Sequence, residues 1–171
     1  MLLRHAKSAY PGVADHERPL ADRGRRDARA AGRWLRETGC VPDYVVCSTA
    51  QRARQTWQLA AAQLAADPPI TYDERVYQAS VSDLLELARD APPSAHTMLV
   101  VGHDPAIQEL ALTLAGAQAA EDGLLERMAS KFPTSSIAVL EVTGSWPELM
   151  ADNARLTRFV VPREFTAGPG G

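Results

Sequence analysis

Four short apolar runs punctuate the chain: "MLL" at the start, "YVVCS" from Tyr44, "TMLVVGH" from Thr97 and "SIAVLEV" from Ser136. Each is too short for a core helix and nearly continuous in its apolar character, the pattern of a strand covered on both faces. Between them the period changes to that of a helix. Within residues 22–38, Ala28, Ala31, Gly32 and Leu35 fall on one face, with Asp22 placed as N-cap and Gly39 as terminator. Within 49–66, Ala53, Trp57, Ala60, Ala61 and Leu64 share a face. Two further helices fit 81–89 and 105–115, the second with Pro105 in its first turn. Strands alternating with helices predict an α/β fold.

A length of 171 residues suits one domain with a sizeable core. Residues 9–19 are irregular, with Pro11 and Gly12, and 91–94 form a Pro-rich break, but neither is long enough to link two domains. The expected division is a single domain over 1–163 and a flexible tail over 164–171, which ends in "TAGPGG". The apolar start gives way at once to charges, and no later stretch approaches a membrane span, so the chain reads as cytoplasmic with no membrane partner. Three apolar residues are few for a first core strand, which leaves room for a translation start upstream of Met1. Cys40 and Cys47 match neither a redox pair nor a zinc half-site and read as reduced thiols.

The net charge of −3 gives no general attraction for polyanions, so phosphate affinity has to come from a local cluster of cations. Arg25, Arg29, Arg33 and Arg36 do form a basic stripe. Asp22 and Glu37 offset it, however, and no aromatic residues are interleaved, so a solvated helix face is expected and no nucleic-acid partner.

In open α/β sheets ligands bind beyond the carboxyl ends of the strands. Here "LLRH" ends in Arg4 and His5, "VVCSTAQR" turns into a helix carrying Arg52, and "LVVGHD" ends in His103. Two arginines and two histidines are thus predicted to converge. Guanidinium forks match phosphate oxygens, and a neutral imidazole beside them is a nucleophile or a donor, so the quartet predicts a phosphate pocket. Neighbouring positive charge disfavours imidazolium and should keep His5 neutral. Ser48, Thr49 and the N–H groups of the "STA" turn are also suited to an anion. His5, His16, His96 and His103 lack paired ligand spacing, and arginine beside a cation is unfavourable, so no metal or other cofactor is expected.

These segments resemble the histidine phosphatase (phosphoglycerate mutase-like) superfamily, and within it the small SixA-like phosphohistidine phosphatases. "LLRHAKS" resembles the Arg-His-Gly motif, "ERPLADRG" the Arg-Pro-Leu segment, "STAQRARQT" the Ser-x-x-x-Arg-Ala-x-Gln-Thr helix start and "VVGHDP" the second-histidine motif. The likeness runs in family order from residue 2 to about 142. It departs at Ala6, where glycine is usual, and at Thr49, where proline is common.

The resemblance implies a single-domain three-layer sandwich, a mostly parallel central sheet with helices on both faces and no large cap insertion. It also implies a metal-independent phosphatase in which His5 attacks phosphorus, Arg4, Arg52 and His103 hold the phosphoryl oxygens, Arg18 reaches the same anion and Glu74 protonates the leaving group. Asp15, His16 and Glu17 belong to the loop over the site and are given no chemistry; Lys7 reads as a surface lysine. The implied substrate is phosphohistidine on a partner protein. A small phosphomonoester or nucleotide is the alternative, and an inactive phospho-binding module is the alternative of another class. The sequence is silent on the oligomeric state.

Overall fold

In the computed structural model residues 1–116 and 123–164 are described; the expected tail, from residue 165 on, lies outside them. Six strands form one sheet: β1 (Leu2–Arg4), β2 (Tyr44–Ser48), β3 (Ile70–Asp73), β4 (Met98–Gly102), β5 (Ile137–Val142) and β6 (Ala154–Val160). Their order is β3-β2-β4-β1-β5-β6. The first four are mutually parallel, and β5 and β6 close one edge antiparallel.

Period-2 alternation sorts the central strands between two cores. Leu3, Val45, Cys47, Leu99 and Val101 pack with Trp34, Leu35 and Trp57 of α1 (Asp22–Glu37) and α2 (Gln51–Ala61). Leu2, Val46, Met98 and Val100 pack on the opposite face with α3 (Val81–Arg89), α4 (Ala106–Ala115) and α5 (Leu124–Ser130). This is the expected three-layer sandwich. On its first face α1 and α2 approach so closely that a Cβ on Gly32 would stand 2.1 Å from the Ala60 carbonyl oxygen.

Differences from the sequence reading are local. Asp22 is the first residue of α1 rather than its cap; the N-cap is Ala21, without a side-chain bond, and Asp22 instead places a carboxylate against the positive end of the helix. Helix α2 ends at Ala61 rather than Ala66: the Ala62 amide still reaches Gln58, four residues back, but those of Gln63 and Leu64 tighten to carbonyls three back. Gly39 does terminate α1, at φ 71°, a conformation that favours glycine. Strands β3 and β6 and helix α5 were not anticipated. The basic residues of α1 lie at its solvent rim, where Arg29 and Arg36 bond to main-chain carbonyls. Among the described residues no helix is long and apolar enough to cross a membrane.

Candidate active site

The register lines up the carboxyl ends of three central strands. Arg4 pairs with Gly102, and Cys47 pairs with Val101, so Ser48 and Gly102 stand level. The next residues, His5, Thr49 and His103, therefore leave the sheet at one edge. His5 is tied there by its N–H, which donates to the Gly102 carbonyl at 2.9 Å. The two imidazoles come within 5.0 Å, centroid to centroid, tilted by 52°.

The ring of His5 is held in one tautomer. Its Nδ1 lies 2.8 Å from the carbonyl oxygen of Ala6, and a carbonyl only accepts, so Nδ1 carries the proton and Nε2 the lone pair. The Ala6 peptide is itself held, since its N–H donates to Thr56 Oγ1 at 2.9 Å while that hydroxyl donates to the Arg52 carbonyl at 2.7 Å. Burial, opposed by the bond to Ala6 and reinforced by Arg52, Arg4 and Arg18, lowers the His5 pKa to about 4. His103 is lowered to about 3, by burial first and then by His5 and Arg52. The His5 ring is thus neutral, as expected, with burial rather than neighbouring charge as the main cause.

Around this pair the arginines are engaged with carboxylates. Arg4 Nη1 lies 2.6 Å from Asp104 Oδ2 and donates to the Phe132 carbonyl at 2.5 Å. Burial raises the Asp104 pKa, against the pull of Arg4. Arg52, only 7% exposed, donates through Nη1 to the Asp15 carbonyl at 2.7 Å and through Nη2 to Asp15 Oδ2 at 3.0 Å. Arg18 Nη1 donates to Asp15 Oδ1 at 2.8 Å, and its Nη2 donates to Ser8 Oγ at 2.5 Å. His103 Nε2 sits 2.8 Å from Ser48 Oγ. The arrangement gathers three cations and an unprotonated imidazole nitrogen, a combination able to bind an oxyanion and attack its central atom.

Arg4, His5, Arg18, Arg52 and His103 thus gather at one edge of the sheet. Glu74 is different. It follows Asp73, the register partner of Ser48, but is exposed, and no hydrogen bond among the described residues ties it to the pocket. Lys7 is exposed.

Sequence reasoning passed over four contributors. Asp15, given no chemistry there, is the hub of the arginine cluster. Tyr77 donates from its hydroxyl to Asp15 Oδ2 at 2.7 Å and sets its ring edge-on to both His16 and His103. Asp104 pairs with Arg4, and Thr56 anchors the Ala6 peptide. Thr56 was within reach, because it closes the quoted "STAQRARQT"; Asp15 and Tyr77 carry no local signal. Ser135 is buried at φ 67°, and its N–H reaches back to the carbonyls of Arg4 and His5, so the entry to β5 braces the end of β1.

Two cavities have very different positions. A polar groove of about 350 Å³, lined by His16, Glu17, Thr49, Gln51, Arg54, Gln55 and Gln58, adjoins the histidine–arginine cluster. A larger one of about 740 Å³, which includes Met1, Met98 and Trp146, lies at the amino ends of β1 and β4, away from the chemistry.

A parallel-sheet sandwich with Arg-His at the end of its first strand and a second histidine at the end of β4 defines the class of histidine phosphatase folds. The chain belongs to the histidine phosphatase superfamily (branch 1), whose model matches residues 1–92. An uncharacterized protein of Mycobacterium tuberculosis is 47% identical over 162 residues, covering 94% of this chain and 100% of that protein. Among solved structures, a candidate phosphohistidine phosphatase SixA from Nakamurella multipartitia is 34% identical with a TM-score of 0.79, covering 93% of this chain and 94% of that one. A candidate phosphohistidine phosphatase SixA from Agrobacterium tumefaciens is 31% identical with a TM-score of 0.77 and the same coverage.

Proposed function

We propose that the protein is a phosphatase that hydrolyses phosphohistidine on a partner protein through a phosphorylated His5. The observation that carries this reading is the bond between His5 Nδ1 and the Ala6 carbonyl, which leaves Nε2 as an unprotonated nucleophile beside Arg4, Arg18, Arg52 and His103. In the first step Nε2 attacks phosphorus in line, the P–N bond to the substrate imidazole breaks, and the bonding pair returns to a ring whose other nitrogen already carries a proton from solvent, so neutral imidazole leaves. Charge on the equatorial oxygens is met by the arginines and His103. In the second step water attacks the phosphorus of phospho-His5, releasing inorganic phosphate and the free imidazole. Besides the substrate the scheme uses only side chains of the protein and one water, so the reaction as proposed needs no metal.

Two features favour a protein-borne phosphoramidate over a sugar phosphate or nucleotide. Imidazole is a good leaving group and needs little help from a proton donor, which suits an exposed, loosely held Glu74; an alkoxide needs a firmly placed acid. The groove beside the cluster is lined by glutamine, threonine and charged side chains, which match the donors and acceptors of a polypeptide main chain.

The test compares kcat/KM on a phosphohistidine-bearing protein with that on sugar phosphates and nucleotides, and looks for an acid-labile, base-stable phosphoryl group on His5. Preference for the phosphoprotein and a labelled His5 are expected. Faster turnover of small phosphomonoesters assigns the alternative substrate class, and no turnover of any phosphate compound makes the protein a binding module.

A further inference from the structure

We propose that Asp15 is an internal counter-anion, seated on the guanidinium groups that a substrate phosphoryl group needs, and that binding of phosphate displaces it. The inference rests on the phosphatase reading above. Its ground is the way Arg52 is committed: Nη1 to the Asp15 carbonyl and Nη2 to the Asp15 carboxylate, so both terminal nitrogens serve one residue. The other carboxylate oxygen takes Arg18, and Tyr77 adds its hydroxyl. A carboxylate bridging two guanidinium groups and a phenol imitates the bonding that an oxyanion would find there. With Asp104 on Arg4, two carboxylates offset the three arginines, so the field of the cluster is largely cancelled.

The segment carrying Asp15 is built to move. Its ends are pinned by the Ser8–Leu20 bridge and by Ala9 N–H donating to the Pro19 carbonyl at 2.8 Å. Between these pins, the turn Asp15–Glu17 has no buried residue, while Tyr10 and Val13 are exposed to 77% and 46%. What holds the middle down is the polar Asp15 cluster, His16 Nε2, 2.9 Å from Thr49 Oγ1, and the edge-on contact of the His16 ring with Tyr77. Opening exposes little apolar surface and exchanges hydrogen bonds that the incoming phosphate re-forms. A ligand whose binding form of the protein is only partly populated has its affinity reduced by that fraction. Asp15 thereby weakens the grip on the product as well as on the substrate.

The experiment is titration of wild type, Asp15→Asn and Tyr77→Phe with inorganic phosphate, by calorimetry and by the phosphate-induced rise in Tm. Asp15→Asn keeps the shape and removes the charge; it should bind phosphate about tenfold more tightly. It should also melt lower than wild type without phosphate and gain more Tm with it, because its arginines lack a counter-charge. Tyr77→Phe loosens the carboxylate but keeps the ring, and should tighten binding about threefold; it decides the matter if Asp15→Asn does not fold. Unchanged or weaker phosphate binding in the folded variants overturns the proposal, as does a phosphate-bound structure with Asp15 still across Arg18 and Arg52. A wild type without turnover, whose Asp15→Asn variant nonetheless binds phosphate more tightly, sinks the phosphatase reading and leaves this one standing.

Discussion

The Ala6 peptide is gripped from both sides: its carbonyl accepts from His5 Nδ1 at 2.8 Å and its N–H donates to Thr56 Oγ1 at 2.9 Å. The His5 ring is therefore oriented by a main-chain group that a helix on another layer holds in place. Replacing the hydroxyl tests this. Thr56→Val should cost about 1–3 kcal/mol of stability, because it leaves a buried N–H without a partner. It should also lower kcat about tenfold by freeing the Ala6 carbonyl to turn, whereas Thr56→Ser should restore most of both. Urea unfolding together with steady-state kinetics separates the outcomes; a Thr56→Val enzyme with wild-type kcat would show that the anchor is irrelevant to the nucleophile.

His5→Ala should abolish the covalent phosphoenzyme and lower turnover by roughly 10³-fold or more, the scale seen when a nucleophile is removed from a catalytic group. Phosphate binding should persist, since the arginines remain. Rapid quench with labelled substrate reads the first effect and calorimetry the second. Residual labelling at the wild-type level would place the nucleophile elsewhere.

Burial of His5 and His103 makes stability depend on pH in a defined direction. In the unfolded chain both imidazoles titrate near 6.5, but in the folded protein near 4 and 3. Between these values the unfolded state binds more protons, so the contribution of these two imidazoles to stability is flat above about pH 7 and falls as the pH drops from about 6.5 towards 4. Urea midpoints measured across that range should show the decline, and His5→Asn should reduce it. NMR should show the His5 ring of the folded protein neutral at pH 5.5; a ring midpoint near 6.5 would contradict the burial argument.

Two glycines in α1 separate stability from activity. A Cβ on Gly24 would stand 2.0 Å from the Lys7 carbonyl oxygen, two residues past His5, while one on Gly32 would press on the Ala60 backbone at 2.1 Å. Both contacts are with backbone, which cannot step aside as a side chain can. Gly32→Ala should cost about 1–3 kcal/mol or more with kcat per folded molecule little changed, while Gly24→Ala should cost a similar amount and also displace the His5 loop. Comparing kcat in the folded fraction of each variant checks this; equal losses of kcat would refute the distinction.

Much of the architecture was legible along the chain because its signal is periodic. The apolar strands β1, β2, β4 and β5 and the buried stripes of α1 and α2 each show in a window of a few residues. What escaped notice was short or weakly patterned. Strand β3 has four residues with only Ile70 apolar apart from its tyrosine, and α5 has seven. Strand β6 carries arginine at two of seven positions, and a register shift against β5 at Thr157 sets its buried Leu156 and Phe159 three residues apart, so no period-2 pattern marks it.

The site divides in the same way. That Arg4, His5, Arg52 and His103 fall at strand ends or the first turn after one is a property of the sequence, because hydrophobic runs locate strands and strands have ends. That Asp15 sits on Arg52, that Tyr77 reaches it from 62 residues away and that Thr56 braces Ala6 across 50 residues belongs to the tertiary structure alone. A hydrogen bond between distant residues leaves no period in the chain; it exists only after the sheet has ordered β2 and β4 beside β1. The identity of the candidate site residues was therefore written locally, while their protonation and their counter-charges came from packing, which sets burial and brings together partners that the sequence keeps apart.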